Sequence, residues 1–110
     1  MQPVVVYRSF LLPFLLSADK LVPHHFMHYV YVIKSKVDGK LYIGSTSDLR
    51  RRMCEHNGGS NKSTKYRRPL ELIYYEAYRA KADAGVRERK LKQFKNSYTE
   101  LRKRIAESLL

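Results

Sequence analysis

The chain has 110 residues, enough for one domain with a modest hydrophobic core. Its 22 lysines and arginines outnumber its 10 aspartates and glutamates, and the resulting net charge of +12 favours a polyanionic partner, DNA or RNA before an anionic membrane. The hydrophobic fraction of 44% excludes wholesale disorder, and the single cysteine excludes an internal disulfide and a thiolate metal cluster, which fits a cytoplasmic protein.

The first 26 residues differ in composition from the rest of the chain. Their apolar run, residues 4–16, is broken by Arg8 and Pro13 and is shorter than the ~20 residues of a transmembrane helix. The segment also lacks a convincing secretory cleavage site. We therefore interpret residues 1–26 as an extension before the fold or a misplaced start, with a membrane anchor as the less favoured alternative.

A β-hairpin is predicted next. The run 29–33 (YVYVI) consists only of β-branched and aromatic residues, and 40–44 (KLYIG) returns as the partner strand. Asp38-Gly39 supplies the turn, because glycine reaches positive φ without steric cost. At this point sheet packing is a somewhat better explanation of the tyrosines of both strands than a chemical role.

A short helix is predicted over residues 48–56, with Thr46 or Ser47 as its N-cap and Asn57-Gly58 as its stop signal. Within it, Leu49, Met53 and His56 recur at i, i+4 and i+7 and form one stripe, which Arg52 flanks. A histidine at a helix end is more often a cap or a core residue, so this spacing alone assigns no function.

The loop 58–68 is polar, basic and contains glycine. This composition suits phosphate contact with base stacking, and it is equally typical of an ordinary solvated loop. The candidate nucleic-acid contacts of the loop and of the preceding helix are Arg50, Arg51, Lys62, Lys65, Tyr66, Arg67 and Arg68.

A third strand is predicted over residues 70–78, in which Glu71 and Glu76 are expected to face solvent or to meet basic residues. Residues 97–110 carry apolar side chains at helical spacing and predict an amphipathic helix that packs on a domain spanning residues 27–96. Together these elements predict an α+β (α/β) fold, a small three-stranded, mostly antiparallel sheet flanked by helices.

The helix predicted over residues 80–95 carries Glu88 on the stripe that should face the sheet. Because burying an unpaired carboxylate is costly, we expect a partner there: a metal ion, Arg52 or a tyrosine hydroxyl. Exposure at the edge of the stripe is the alternative.

These residues resemble the GIY-YIG nuclease domain, a family named for two tripeptides about ten residues apart. The second tripeptide is intact as Tyr42-Ile43-Gly44, whereas the first reads Tyr29-Val30-Tyr31, with tyrosine in place of glycine. The likeness covers roughly residues 27–95 and is closest to the small single-domain bacterial branch, related to the nuclease domain of the excision-repair incision subunit. Its further anchors are Asp48-Leu49, Arg52, His56-Asn57, the stretch 63–69 (STKYRRP) and Glu88.

The resemblance implies a metal-dependent endonuclease that hydrolyses phosphodiester bonds in DNA or RNA, with a role in DNA repair compatible. It implies that Glu88 binds one divalent cation, Mg²⁺ or Mn²⁺, and that Arg52 clamps the scissile phosphate. Tyr42 would then be the general base, and Tyr31 and His56 would position groups or relay protons.

Two other classes of function stay open. The alternative is a non-catalytic basic nucleic-acid-binding module on the same scaffold, although the intact Arg52 and Glu88 argue against a decayed site. A membrane-associated protein that uses the apolar run is a third, poorly supported class. One active site cuts one strand, so a double-strand break would require a dimer or two encounters.

Overall fold

The computed structural model describes residues 27–110, so the interpretations of residues 1–26 lie outside the described part of the chain. The predicted fold class is confirmed: a three-stranded antiparallel sheet is combined with helices. In chain order the elements are β1 (His28–Ser35), β2 (Leu41–Thr46), α1 (Leu49–Asn57), a 3₁₀ turn (Lys65–Arg67), β3 (Leu70–Tyr78), α2 (Lys81–Lys92) and α3 (Asn96–Arg104).

The strand order is β2-β1-β3, and both pairings of the central strand β1 are antiparallel. The four residues from Val30 to Ile33 are at most 1% exposed, which explains why β1 is apolar on both faces. The β1–β2 turn forms as predicted: Gly39 has φ +71°, and the Lys40 amide donates to Asp38 Oδ1 at 2.9 Å. Because β2 stands at one end of the strand order, it is an edge strand of this sheet.

Each face of the sheet has its own hydrophobic cluster. The face covered by α2 and α3 is built on Val30, Val32, Ile43, Tyr78, Ala84, Leu91, Leu101 and Ile105. The opposite face, against which α1 packs, is built on Tyr31, Ile33 and Leu70, with Tyr42, Leu49, Met53 and Tyr75 around them. The predicted stripe of α1 thus packs on the sheet.

The N-cap of α1 corrects the sequence prediction. Asp48, not Thr46 or Ser47, caps the helix, and its Oδ1 accepts from the Arg51 amide at 3.0 Å. The Thr46 hydroxyl instead accepts from the Asp48 amide at 3.1 Å, which holds the cap residue in place. The stop is as predicted, since α1 ends at Asn57 with Gly58 as its C-cap.

The two C-terminal helices are shorter than predicted. Helix α2 ends at Lys92, because Phe94 adopts a left-handed φ of +56° that cannot continue a helix. Helix α3 ends at Arg104, and the turns that follow carry Ile105 and Leu109 onto the core. No helix within residues 27–110 combines the length and the apolar character needed to cross a membrane.

The two strand carboxylates differ in environment. Glu71 is exposed and lies 3.8 Å from the Lys36 ammonium, as expected. Glu76 does not face solvent, since it is 2% exposed. It accepts from Arg87 Nε and Nη2 at 2.9–3.1 Å, so of the two predicted environments the structure shows the contact with a basic residue. The hydroxyls of Tyr74 and Tyr78, on the same strand, also donate to Glu76. The bonds from Arg87 tie β3 to α2.

Candidate active site

A cavity of about 870 Å³ lies where the edge strand β2 meets α1 and α2. Arg52 enters it from α1 and Glu88 from α2, so two predicted site residues from distant parts of the chain face one space. Strand β2 adds hydroxyl groups, and most charged side chains of the wall are basic. The polar lining residues are His28, Ser45, Thr46, Ser47, Arg51, Arg52, Glu55, Lys81, Glu88 and Arg89.

Tyr31, His56 and Thr64 form a buried hydrogen-bonded chain beside this cavity. All three side chains are fully buried. The Tyr31 hydroxyl lies 2.8 Å from His56 Nε2, and His56 Nδ1 lies 2.8 Å from the Thr64 hydroxyl. Burial, reinforced by the Arg52 charge, lowers the pKa of His56, so the imidazole is neutral near pH 7.

The proton positions in the hydrogen-bonded series Tyr31–His56–Thr64 follow from which of its groups must donate and which must accept. Arg52 Nε donates to the Tyr31 oxygen at 3.3 Å, so the tyrosine O–H needs another acceptor. His56 Nε2 is that acceptor, which places the ring proton on Nδ1, where it is donated to the Thr64 oxygen. This assignment gives the Tyr31 O–H and the His56 ring N–H one partner each, and it fixes the His56 ring from both sides.

Arg52 is held by two acceptors. Besides the bond to Tyr31, its Nη1 donates to Glu55 Oε1 at 2.9 Å, one turn further along α1. The hydrogen bond to Tyr31 and then that to Glu55 raise the pKa of Arg52, so the guanidinium is charged at every accessible pH. These bonds use two of its five N–H donors, and the plane of the group is fixed at the cavity wall.

Burial raises the pKa of Tyr31, and the opposing effect of Arg52 does not cancel it. In the resting protein Tyr31 is therefore a neutral phenol. Across the strand pair it lies opposite Gly44, the last residue of the YIG tripeptide, and its ring crosses the space that a side chain at position 44 would need.

Tyr42 completes the aromatic group. Its ring centroid lies 6.4 Å from that of Tyr31 and 5.1 Å from that of His56. The Lys92 ammonium lies 5.8 Å from the Tyr42 ring centroid. The structure thus brings together Tyr31, Tyr42, Arg52 and His56. Glu88 on α2 is connected to this group by Lys92, which contacts both Glu88 and the Tyr42 ring.

The partners of Glu88 differ from those expected. Its carboxylate is bonded neither to Arg52 nor to a tyrosine: Oε1 accepts from the Ser45 hydroxyl at 2.7 Å, and Oε2 lies 2.9 Å from the Lys92 ammonium. Partial burial would raise the pKa of Glu88, but the bonds from Lys92 and Ser45 outweigh it and lower the pKa. Glu88 is consequently ionised at neutral pH.

The donor set fits a weakly held hard cation. Within residues 27–110 no three His, Cys, Asp or Glu side chains group into a metal site. Glu88 offers a single ionised carboxylate on an open cavity. Mg²⁺ and Mn²⁺ suit such oxygen ligands, and Mg²⁺ in particular is commonly held by one or two carboxylates, waters and substrate phosphates.

The predicted nucleic-acid contacts are not all placed alike. Tyr66 is 82% exposed, with the Lys65 ammonium 5.1 Å from its ring centroid. Arg67 instead turns inward, and its Nε lies 3.4 Å from Asp38 in the β1–β2 turn. The other four side chains, of Arg50, Arg51, Lys62 and Arg68, are exposed.

Some residues of the site carried no recognisable signal in the sequence. Thr64 lies within the family-like stretch, but its bond to His56 depends on the path of the loop. Ser45 becomes a partner of Glu88 only because α2 crosses β2. Lys92 pairs with Glu88 at i,i+4 spacing within α2, a signal that was present in the sequence but was not interpreted. Asn57 was interpreted as a stop signal and as part of the family-like pair His56-Asn57. In the structure its side-chain amide also makes two hydrogen bonds to the backbone of Leu70, at 2.8 and 3.0 Å, and so joins α1 to β3.

Comparisons of the sequence with known proteins find one matching family and several similar proteins. A sequence model described as the GIY-YIG catalytic domain matches residues 27–104. A UPF0213 protein of Staphylococcus saprophyticus is 44% identical over 68 residues, which is 61% of this chain and 82% of the relative. One of Bacillus pumilus is 46% identical over 66 residues, 59% of this chain and 66% of the relative. No solved structure matches the chain.

Proposed function

The chain belongs to the GIY-YIG catalytic domain family, and from this premise we propose that it is a metal-dependent endonuclease that hydrolyses phosphodiester bonds in DNA. The observation that carries the proposal is that Arg52 and Glu88 face one basic cavity, with Arg52 bonded to the buried Tyr31–His56 pair. A cavity with this charge attracts a phosphodiester and offers it both a fixed cation and a carboxylate.

Arg52 is proposed to bind the scissile phosphate. During hydrolysis negative charge develops on the phosphoryl oxygens, and a pre-oriented guanidinium stabilises that charge without reorganising. Its bonds to Tyr31 and Glu55 supply the orientation. We therefore assign Tyr31, His56 and Thr64 to positioning Arg52, since the raised pKa of Tyr31 makes it a poor base.

Tyr42 is proposed to be the general base, whose phenolate form takes the proton of the attacking water. The hydroxide equivalent joins phosphorus, the bond to the leaving 3′ oxygen breaks, and that oxygen takes a proton from solvent water. Tyr42 then returns its proton to solvent. Tyr42 is half-buried in the site, and its ring contacts His56, which limits its orientation. Glu88 would hold one divalent cation, Mg²⁺ or Mn²⁺, which supplies Lewis-acid stabilisation of the leaving oxygen when bound.

The exposed basic side chains suit the binding of a nucleic acid strand beyond the scissile phosphate. Arg51 and Arg89 line the cavity itself, and Tyr66 on the loop offers a stacking surface beside Lys65. We favour DNA as the substrate, in the cytoplasm, with one strand cut by each site and a dimer compatible with double-strand cutting.

Cleavage of labelled single-stranded, duplex and branched DNA and RNA, with Mg²⁺, Mn²⁺ or EDTA, tests the proposal. Arg52→Ala and Glu88→Gln should each reduce the rate at least about 100-fold while binding is largely kept. Arg102→Ala and Glu100→Gln on α3 make the same changes in charge away from the cavity and should cut like the wild type. Salt-sensitive binding without cutting in any condition would contradict the enzyme and leave a basic binding module.

A further inference from the structure

Lys92 is bound to the proposed metal ligand. Its ammonium lies 2.9 Å from Glu88 Oε2, one helical turn away on α2, and 5.8 Å from the Tyr42 ring centroid. Because the Ser45 hydroxyl donates to the other carboxylate oxygen, both oxygens of Glu88 have a protein donor. The carboxylate is thus neutralised by the chain itself.

In this arrangement the Lys92 ammonium and a divalent metal ion would compete for the Glu88 carboxylate. A divalent cation that binds Glu88 must approach within about 2–2.5 Å of a carboxylate oxygen. An ammonium held 2.9 Å from the same carboxylate would then lie a few ångströms from the metal, where like charges repel strongly. Ser45, which is uncharged, imposes no such conflict.

Lys92 is freer to move away than Glu88. Lysine has a long flexible side chain, and that of Lys92 is 46% exposed at the protein surface. The Glu88 side chain is 21% exposed, and it is held by Ser45 from the neighbouring strand. The ion pair can therefore open by rotation of Lys92 into solvent while the carboxylate stays in place.

We propose that Lys92 is an internal counter-cation of Glu88 that a divalent metal ion must displace, so that Lys92 sets the affinity of the site for metal. The inference rests on the proposed role of Glu88. It makes Lys92 a positioning residue that occupies one oxygen of the Glu88 carboxylate until metal and substrate arrive.

Direct Mn²⁺ binding, measured from the electron paramagnetic resonance signal of the free ion, tests the inference without any cleavage assay. Lys92→Met keeps the length of the side chain and removes its charge. Lys90→Met removes the same charge from the same helix, and Lys90 makes no ion pair with Glu88 in the described structure. We expect Lys92→Met to bind Mn²⁺ about three- to tenfold more tightly than Lys90→Met.

Glu88→Gln separates failure of this inference from failure of the proposed function. If Glu88→Gln abolishes Mn²⁺ binding but Lys92→Met and Lys90→Met bind equally, the counter-cation role of Lys92 is refuted and the metal role of Glu88 stands. If Glu88→Gln binds like the wild type, or no variant binds Mn²⁺, both ideas fail. Circular dichroism spectra that match the wild type confirm that the variants are folded.

Discussion

Tyr31 lies across the strand pair from Gly44, so close that a Cβ at position 44 would be 2.4 Å from the Tyr31 hydroxyl oxygen and 2.6 Å from Cζ. The final glycine of the YIG tripeptide therefore has a steric function. It allows the Tyr31 ring to cross β2 and reach His56 and Arg52.

We expect Gly44→Ala to damage the site more than the sheet. Tyr31 is fully buried and bonded at its hydroxyl, so it cannot rotate away, and overpacking of this kind costs about 1–3 kcal/mol. Urea denaturation should show that loss together with strongly reduced cleavage. Gly85→Ala is the matched control for stability, because its Cβ would meet only the Arg89 side chain end at 3.3 Å and alanine favours the helix. Unchanged stability and cleavage in Gly44→Ala would contradict the steric argument.

Thr64→Val should disrupt the hydrogen-bonded series Tyr31–His56–Thr64 at its Thr64 end. The substitution keeps the shape and removes the hydroxyl, so His56 Nδ1 is left buried without its partner, at about 1–3 kcal/mol. Without this bond His56 is held at one ring nitrogen only and fixes Tyr31 less firmly, so cleavage should fall with stability. Thr64→Ser keeps the hydroxyl and should retain most of both. Similar losses in the two variants would show that the methyl group, and not the hydrogen bond, matters.

The sequence was sufficient for the parts of the fold that depend on local periodicity. The hairpin around Gly39 and the stripe of Leu49, Met53 and His56 follow from alternation and helical spacing, and both are present. The N-cap was missed because Thr46, Ser47 and Asp48 are all good caps, and only the chain path selects Asp48.

The partners of the site residues could not be predicted in the same way. The bond between His56 and Thr64 depends on how the loop folds back over α1, which no periodicity encodes. The bond from Ser45 to Glu88 depends on the crossing of α2 over β2. Residue types that suit a reaction were therefore visible in the sequence, whereas the groups that hold them were not.

A pH dependence follows from the buried His56. Its pKa is lowered in the folded protein, so the unfolded chain, with an ordinary value of about 6.5, binds the proton more readily. Stability should therefore be constant above about pH 7 and fall as the pH drops below about 6.5, by at most about 1.4 kcal/mol per pH unit. Urea midpoints between pH 5 and 8 measure this.

His56→Gln removes that titrating group and should flatten the profile between pH 5 and 7, even though the variant is less stable throughout. His28→Gln is the control, because it removes another histidine and leaves His56 in place. A wild-type profile that stays flat from pH 8 to 5, or a His56→Gln profile as steep as that of the wild type, would refute the assignment of a buried neutral imidazole.

The Glu76–Arg87 pair should be a main determinant of stability, since it joins β3 to the helix that carries Glu88. Glu76 is 2% exposed and accepts from two guanidinium nitrogens, so Glu76→Gln leaves Arg87 without its counter-charge and should cost about 3 kcal/mol. The double variant Glu76→Met/Arg87→Leu removes both charges and should recover at least half of that loss in urea denaturation. Glu100→Gln, which breaks an exposed pair with Lys103, should change stability by less than about 0.5 kcal/mol. If Glu76→Gln were no more destabilising than Glu100→Gln, the buried pair would not hold α2 on the sheet, and the orientation of Glu88 would have to come from its own contacts with Ser45 and Lys92.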